Sequence, residues 1–222
     1  ENSEIKAGLF ATDASIAGTK TATLGETIQV TNGVTLGNDS VLQLADGAIL
    51  ASEVNGKGIL SVASANIQND IGTTDVLNAV NFSDDVKSVA LVSSKSIQAN
   101  NINFNKGSVV FDNNAENTSL GAEVFLNNTN VNLLYRDVAV VGNVNFTGDN
   151  TLKLSTLQDP QGNENHGKLT IVENSGDIIL NSGSTLKLMI DDTLYPRADT
   201  EKALVVIDNG TASTVRFTTD DL

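Results

Sequence analysis

The sequence predicts an all-β fold, a right-handed parallel β-helix of about nine or ten rungs, each of roughly 20–25 residues. Three observations predict it. Apolar residues recur in pairs one residue apart, as in Ile102/Phe104 and Val109/Phe111. Such a pair places both side chains on one face of an extended strand. Between the pairs stand Asn, Gly, Ser and Asp, as in Asn105-Lys106-Gly107-Ser108 and Asp112-Asn113-Asn114. Asn and Gly tolerate the left-handed backbone region, which suits a chain that turns every few residues. Finally, presumed equivalent residues return at a rung's length: Val80, Ile102, Val124, Val144 and Leu169 are separated by 22, 22, 20 and 25 residues.

Taken in order, residues 1–25 are mildly apolar around Gly8-Leu9-Phe10-Ala11 and Ala14-Ser15-Ile16, and read as a cap or as irregular early rungs. The regular pattern begins with Ile28/Val30, Val34/Leu36 and Leu42/Leu44, parted by Asn32-Gly33 and Gly37-Asn38-Asp39. Leu60/Val62 follows, with Ile67 and Ile71 continuing it, then Val80/Phe82 with Val89/Leu91 behind. Residues 113–121 read as a polar loop. The clearest triplet is Val124/Leu126, Val131/Leu133 and Val138/Val140, each pair seven residues after the last. Val144/Phe146 and Leu152/Leu154 come next. Residues 157–168 then break the pattern around the turn-forming Asp159-Pro160-Gln161-Gly162-Asn163. Leu169/Ile171, Ile178/Leu180 and Leu186/Leu188 resume it. Residues 191–202, with Tyr195-Pro196 and paired charges, read as a protruding loop or short helix before Ala203–Ile207.

An antiparallel sandwich also shows short alternating strands. The seven-residue repeat of the best triplet is too short for sandwich strands plus loops, and aromatic residues and Pro are scarce (4% FWY, 2 Pro). Stacked at the usual strand spacing, nine or ten rungs make a rod about 45 Å long. Val, Ile and Leu would line its interior, and Asn side chains at its turns would bond from rung to rung. The whole of 1–222 forms one such unit.

The net charge is -14. Such a chain repels nucleic-acid phosphates and anionic lipid heads, so nucleic acid is not an expected partner. There is no Cys, which excludes disulfides, thiolate metal sites and a Cys nucleophile. A cysteine-free chain suits the cytosol and equally suits a protein that crosses a membrane unfolded. No run approaches the ~18 apolar residues of a spanning helix. With Met189 the sole Met, the chain reads as a piece of something longer.

No catalytic constellation emerges. His166 is the sole histidine and stands among loop residues without the partners that a triad or metal site needs. The acid pairs Asp84-Asp85 and Asp191-Asp192 are the raw material of a glycan-cleaving site, which requires two carboxylates at a set separation. They read instead as turn and surface acids. The Gly/Asp nonapeptide that binds calcium in β-rolls is absent, as are the glycine-rich nucleotide loops and the nucleophile elbow. No metal and no cofactor is therefore expected.

The repeats Gly142-Asn143-Val144-Asn145-Phe146-Thr147-Gly148-Asp149-Asn150-Thr151-Leu152-Lys153-Leu154 and Glu116–Leu126 resemble the passenger domains of autotransporters (type V secretion). They are most similar to rickettsial surface cell antigens of the outer membrane protein A and B type. The resemblance covers roughly Gly33 to Phe217. It implies a non-enzymatic β-helical stalk on the bacterial surface, held in the outer membrane through a C-terminal β-barrel that this sequence does not contain. It also implies adhesion to and invasion of host cells, or surface-layer formation, with a host-cell surface protein or matrix component as partner. The competing class is a β-helix polysaccharide lyase or glycoside hydrolase. Since a uniform stack has little room for specificity, recognition is expected in the loops 113–121, 159–168 and 191–202. The last is the strongest candidate: Asp191, Asp192, Tyr195 and Arg197 combine charge with two residue types favoured at interface hot spots.

Overall fold

The computed structural model describes residues 3–5, 7–82, 89–111, 117–134, 137–158, 164–172, 175–190 and 205–207. Among them every regular element is a β-strand. All strand pairs are parallel except one short hairpin. The chain is a parallel β-solenoid, and its strands stack into three sides.

Side 1 follows the register Leu24, Leu44, Val62, Phe82, Phe104, Leu126, Phe146, Leu180, each residue paired with the next. Side 2 follows Leu9, Ile28, Leu50, Ile67, Val92, Phe111, Leu133, Leu154, Ile190. Side 3 follows Ala14, Val34, Val54, Ile71, Ile97, Leu120, Val140, Ile171, Ile207. A strand such as Ser96–Asn105 serves two sides. Its first half lies on side 3, and after an irregularity between Gln98 and Asn101 its second half opens side 1 of the next rung.

The period-two pattern explains this geometry. In Leu42-Gln43-Leu44 the leucines are fully buried and Gln43 is exposed. The alternation repeats at Val80-Asn81-Phe82 and Ile102-Asn103-Phe104, with the central Asn half-buried. With few aromatics the interior is aliphatic, except where Phe82, Phe104, Phe111 and Phe146 enter it. Phe82 stacks on Phe104 at 4.8 Å between ring centroids, and Phe104 meets Phe111 edge-on at 6.3 Å. Both geometries suit the quadrupoles of the rings.

Among the described residues, sides 2 and 3 each stack nine positions in register. At Ile71 side 3 is reduced to an isolated bridge. At the two ends the inward residues Leu9, Ala14, Ile16, Ile178, Leu186 and Leu188 are only partly buried. Residues 1–25, expected as a cap or as irregular rungs, include strands on all three sides that continue the solenoid registers.

Several local expectations are corrected. Leu169 is not the side-1 equivalent of Val144; that place belongs to Ile178, and Leu169 pairs with Val138 on side 3. A hairpin inserted before Leu169 lengthens the rung and shifts the count. In Val89–Val92 the inward residues are Ala90 and Val92, while Val89 and Leu91 face out. Both phases of that strand are apolar, so alternation alone does not choose. The choice is made by the pairing of Val92 with Ile67 and Phe111. The expected loop 113–121 contains a strand from Thr118, with Thr118 and Leu120 buried. In the expected loop 159–168, Glu164–His166 is a strand antiparallel to 156–158, with His166 opposite Thr156, and Lys168 opens the next side-3 strand. Val131, Leu133, Val138 and Val140 are all buried, as the triplet predicts.

Candidate functional site

The corner between sides 2 and 3 changes character along the rod. In the early rungs it is short, formed by residues 12–13, 31–33, 51–53, 68–70 and 93–95. Hydroxyls brace it from within. Buried Ser52 accepts a hydrogen bond from the Val30 amide at 2.5 Å and donates to the Ile28 carbonyl at 3.3 Å. Buried Ser94 donates to the Asn69 carbonyl at 2.6 Å, and buried Thr118 donates to the Ser94 carbonyl at 2.8 Å. On its outside, Asp70 accepts from the Lys95 and Ser96 amides at 2.8 and 2.9 Å. Each short hydroxyl or carboxylate satisfies backbone groups that a sharp corner leaves without strand partners.

From Phe111 onward the same corner opens. The chain leaves side 2 at Phe111 and is next on side 3 at Thr118; it leaves at Leu134 and resumes at Asp137; it leaves at Ile190 and resumes at Val205. In the rung between these last two, the side-2 strand runs past Leu154 to Gln158, and Thr156–Gln158 pairs with Glu164–His166 before Lys168 enters side 3. Gly167 makes that return feasible. It is buried, and a Cβ there would lie 2.0 Å from the Leu133 carbonyl oxygen, so only glycine passes. Three of these four rungs thus carry a longer side 2 to side 3 connection along one edge, while the one from Leu134 to Asp137 stays as short as the early corners.

Asp191, Asp192, Tyr195 and Arg197, the binding residues predicted from sequence, lie outside the described residues, as does 191–202 as a whole. Their described flanks are Ile190, paired with Leu154, and Val205, paired with Leu169. Asp84 and Asp85, and the turn 159–163, also lie outside. The anchor points of all three predicted recognition loops nevertheless fall on the one edge. Sequence reasoning listed the loops one by one and missed that alignment, although the signal was present: each follows the second apolar pair of its rung.

A second feature was missed altogether. The middle residues of the side-1 pairs form an outward row: Thr23, Gln43, Ser61, Asn81, Asn103, Phe125, Asn145. The expected rung-to-rung bonds of Asn occur at turns, where Asn32 Nδ2 donates to Asp13 Oδ1 at 2.8 Å and Asn128 Oδ1 accepts from the Asp149 amide at 2.9 Å, but the Asn-to-Asn bond lies on this strand face, where Asn103 Nδ2 donates to Asn81 Oδ1 at 2.7 Å. Asn150 bonds both within its own turn and to the rung before. It is buried, accepts from the Thr129 amide and donates to the Thr147 and Gly148 carbonyls. Among the described residues no group of three His, Asp or Glu is placed to hold a metal ion.

Comparison with family models, with curated proteins and with solved structures finds no match. The fold and the edge define a class of molecule: a parallel β-solenoid with an apolar core, three of whose long connections are anchored along one edge.

Proposed function

We propose that this chain is a non-enzymatic, surface-displayed module of the autotransporter passenger type: a β-helical stalk that presents recognition loops to a host-cell surface protein or matrix component. The observation that carries the proposal is that three long connections, from Phe111 to Thr118, from Leu154 to Lys168 and from Ile190 to Val205, are anchored on one edge of the stack. Connections anchored on one edge share a direction and can engage one partner together, whereas the connections of similar length from Phe82 to Val89 and from Ile171 to Ile178 lie at other corners. Loops on a rigid stack also vary in sequence without disturbing it.

Export fits the same physics. A cysteine-free chain forms no disulfide that would block passage. Solenoid stability builds from contacts between neighbouring rungs, so folding proceeds rung by rung as the chain emerges. The proposed location is therefore the outside of the bacterial outer membrane.

The test is to replace residues 193–200 with a Gly/Ser linker and measure binding of coated beads to host cells. The strand signal in circular dichroism is expected to persist while cell binding falls. Undiminished binding by the replaced chain, or no binding by the parent, would overturn the proposal.

A further inference from the structure

The side-1 row borders a furrow. A depression of about 440 Å³ lies along Gln43, Ser61, Ala63, Asn81, Asn103 and Asn105, over the backs of buried Val62 and Phe82. It crosses four rungs, since Gln43, Ser61, Asn81 and Asn103 pair in succession. Phe125 follows Asn103 in the same register and is 38% exposed. Among the described residues every polar side chain lining the furrow is an amide or a hydroxyl, and none is charged.

We propose that this furrow binds an extended neutral glycan lying along the rod axis, without cleaving it. Three properties select that ligand. First, a carboxamide carries two N–H donors and a carbonyl with two lone pairs. The bond from Asn103 to Asn81 uses one donor of the first and one lone pair of the second. The remaining capacity faces the furrow, as neutral donors and acceptors matched to sugar hydroxyls. Second, the row offers one neutral polar residue per rung from Gln43 to Asn103, a repeat of about 4.8 Å. That is close to the advance of one pyranose in an extended β-1,4-linked chain, so the sugars stay in step with the rungs and present hydroxyls to each. An extended peptide advances about 3.3 Å per residue and would fall out of step with the rungs. Third, Phe125 supplies a flat apolar surface for the C–H face of a sugar ring.

Charge decides against the other polymers. Anionic glycans and nucleic acids would meet a chain of net charge -14 with no cation among the described residues of the furrow. Cleavage of a glycosidic bond needs two carboxylates flanking it, and the described lining has none. This site lies on side 1, away from the side 2 to side 3 edge, and stands independently of the loop proposal.

The experiment is calorimetric titration of the intact chain with cellohexaose and chitohexaose, with cellobiose and hexagalacturonate as comparisons. At least one neutral hexamer is expected to bind, at least tenfold more tightly than cellobiose, while hexagalacturonate gives no heat. Two variants locate the site. Phe125→Ala removes the exposed ring and is expected to weaken binding roughly tenfold. Ser61→Tyr fills the furrow from an outward position and is expected to abolish binding. Both positions face outward, and equal melting of parent and variants verifies the fold. No binding of either neutral hexamer up to about 1 mM, equal binding of the anionic hexamer, or variants that bind like the parent would overturn the proposal.

Discussion

Replacing Val138 by Asp tests the strand phase where the repeat is clearest. Val138 lies in the strand Asp137–Val141, paired with Thr118 on one side and Leu169 on the other, and is 1% exposed. Its inward side chain shares the core with Leu133, Val140 and Val144, none of which offers an ion or a hydrogen bond. A carboxylate there must either remain charged in an apolar interior or take up a proton. Protonation is the cheaper course. Holding an aspartic acid neutral at pH 7, about three pH units above its ordinary pKa, costs about 4 kcal/mol. Loss of the valine methyl contacts and burial of a neutral acid add about 1–3 kcal/mol more. The sign follows from the direction of the shift. Burial raises the folded-state pKa above the unfolded value, so the protonation part of the penalty is absent below about pH 4 and grows as pH rises above it. Val141, in the same strand, is 47% exposed, and Val141→Asp is expected to change stability by less than about 0.5 kcal/mol. The assay is chemical denaturation of both variants and the parent at pH 4 and pH 7. A large loss for Val138→Asp, shrinking at pH 4, and near-parent behaviour for Val141→Asp are the expected results. Equal midpoints for the two variants at pH 7 would show that the inward face is misassigned.

Two further outcomes follow from the core and the turns. The interior around Phe104, Val124, Val138 and Phe146 contains an apolar void of about 30 Å³; Val124→Ile adds one methylene towards it and is expected to gain up to about 0.8 kcal/mol in denaturant unfolding, whereas a fall in the midpoint would mean that the void cannot accept it. Asn150→Ala deprives the buried Thr129 amide of its partner, while the Thr147 and Gly148 carbonyls keep the Asn128 and Thr185 amides, and is expected to lose about 1–3 kcal/mol by thermal melting, an unchanged melt being the contrary result.

Much of the stack was legible because inward apolar pairs alternate with polar middles. Val131-Asn132-Leu133 has a polar middle and no second apolar phase to compete there, and Val131, Leu133, Val138 and Val140 are all buried. Val89-Ala90-Leu91-Val92 is apolar in both phases, and there the neighbouring rungs, through Ile67 and Phe111, decide the inward face. Leu169 was misplaced because counting residues assumes equal rungs, and the hairpin of 156–158 with 164–166 breaks that assumption. The candidate sites were harder to read because they are properties of stacking. Gln43, Ser61, Asn81 and Asn103 are unremarkable singly and distant in sequence. Only the parallel register turns them into a row.

The solenoid divides its constraints between its core, its corners and its outer faces. The inward positions answer to packing and the corners to backbone hydrogen bonding, so neither is free to vary. In the early rungs the side 2 to side 3 corner is closed by Ser52, Asp70 and Ser94, and little chain is left there to contact a partner. Beyond Phe111 the closing role passes to the strands themselves. Thr118 reaches back to the Ser94 carbonyl, and Gly167 tucks beneath Leu133. The corner is thus secured from its two flanks. The length and charge of the long connections can then be set by a partner. The outward row of side 1 is free for a different reason: its backbone is fully paired and its side chains face solvent. It varies one residue at a time, at fixed spacing. A surface of that kind suits a repeating polymer, whereas the long connections suit a partner of irregular shape. The division predicts that the two surfaces respond independently to substitution: Phe125→Ala should leave cell binding intact, and replacement of 193–200 should leave glycan binding intact.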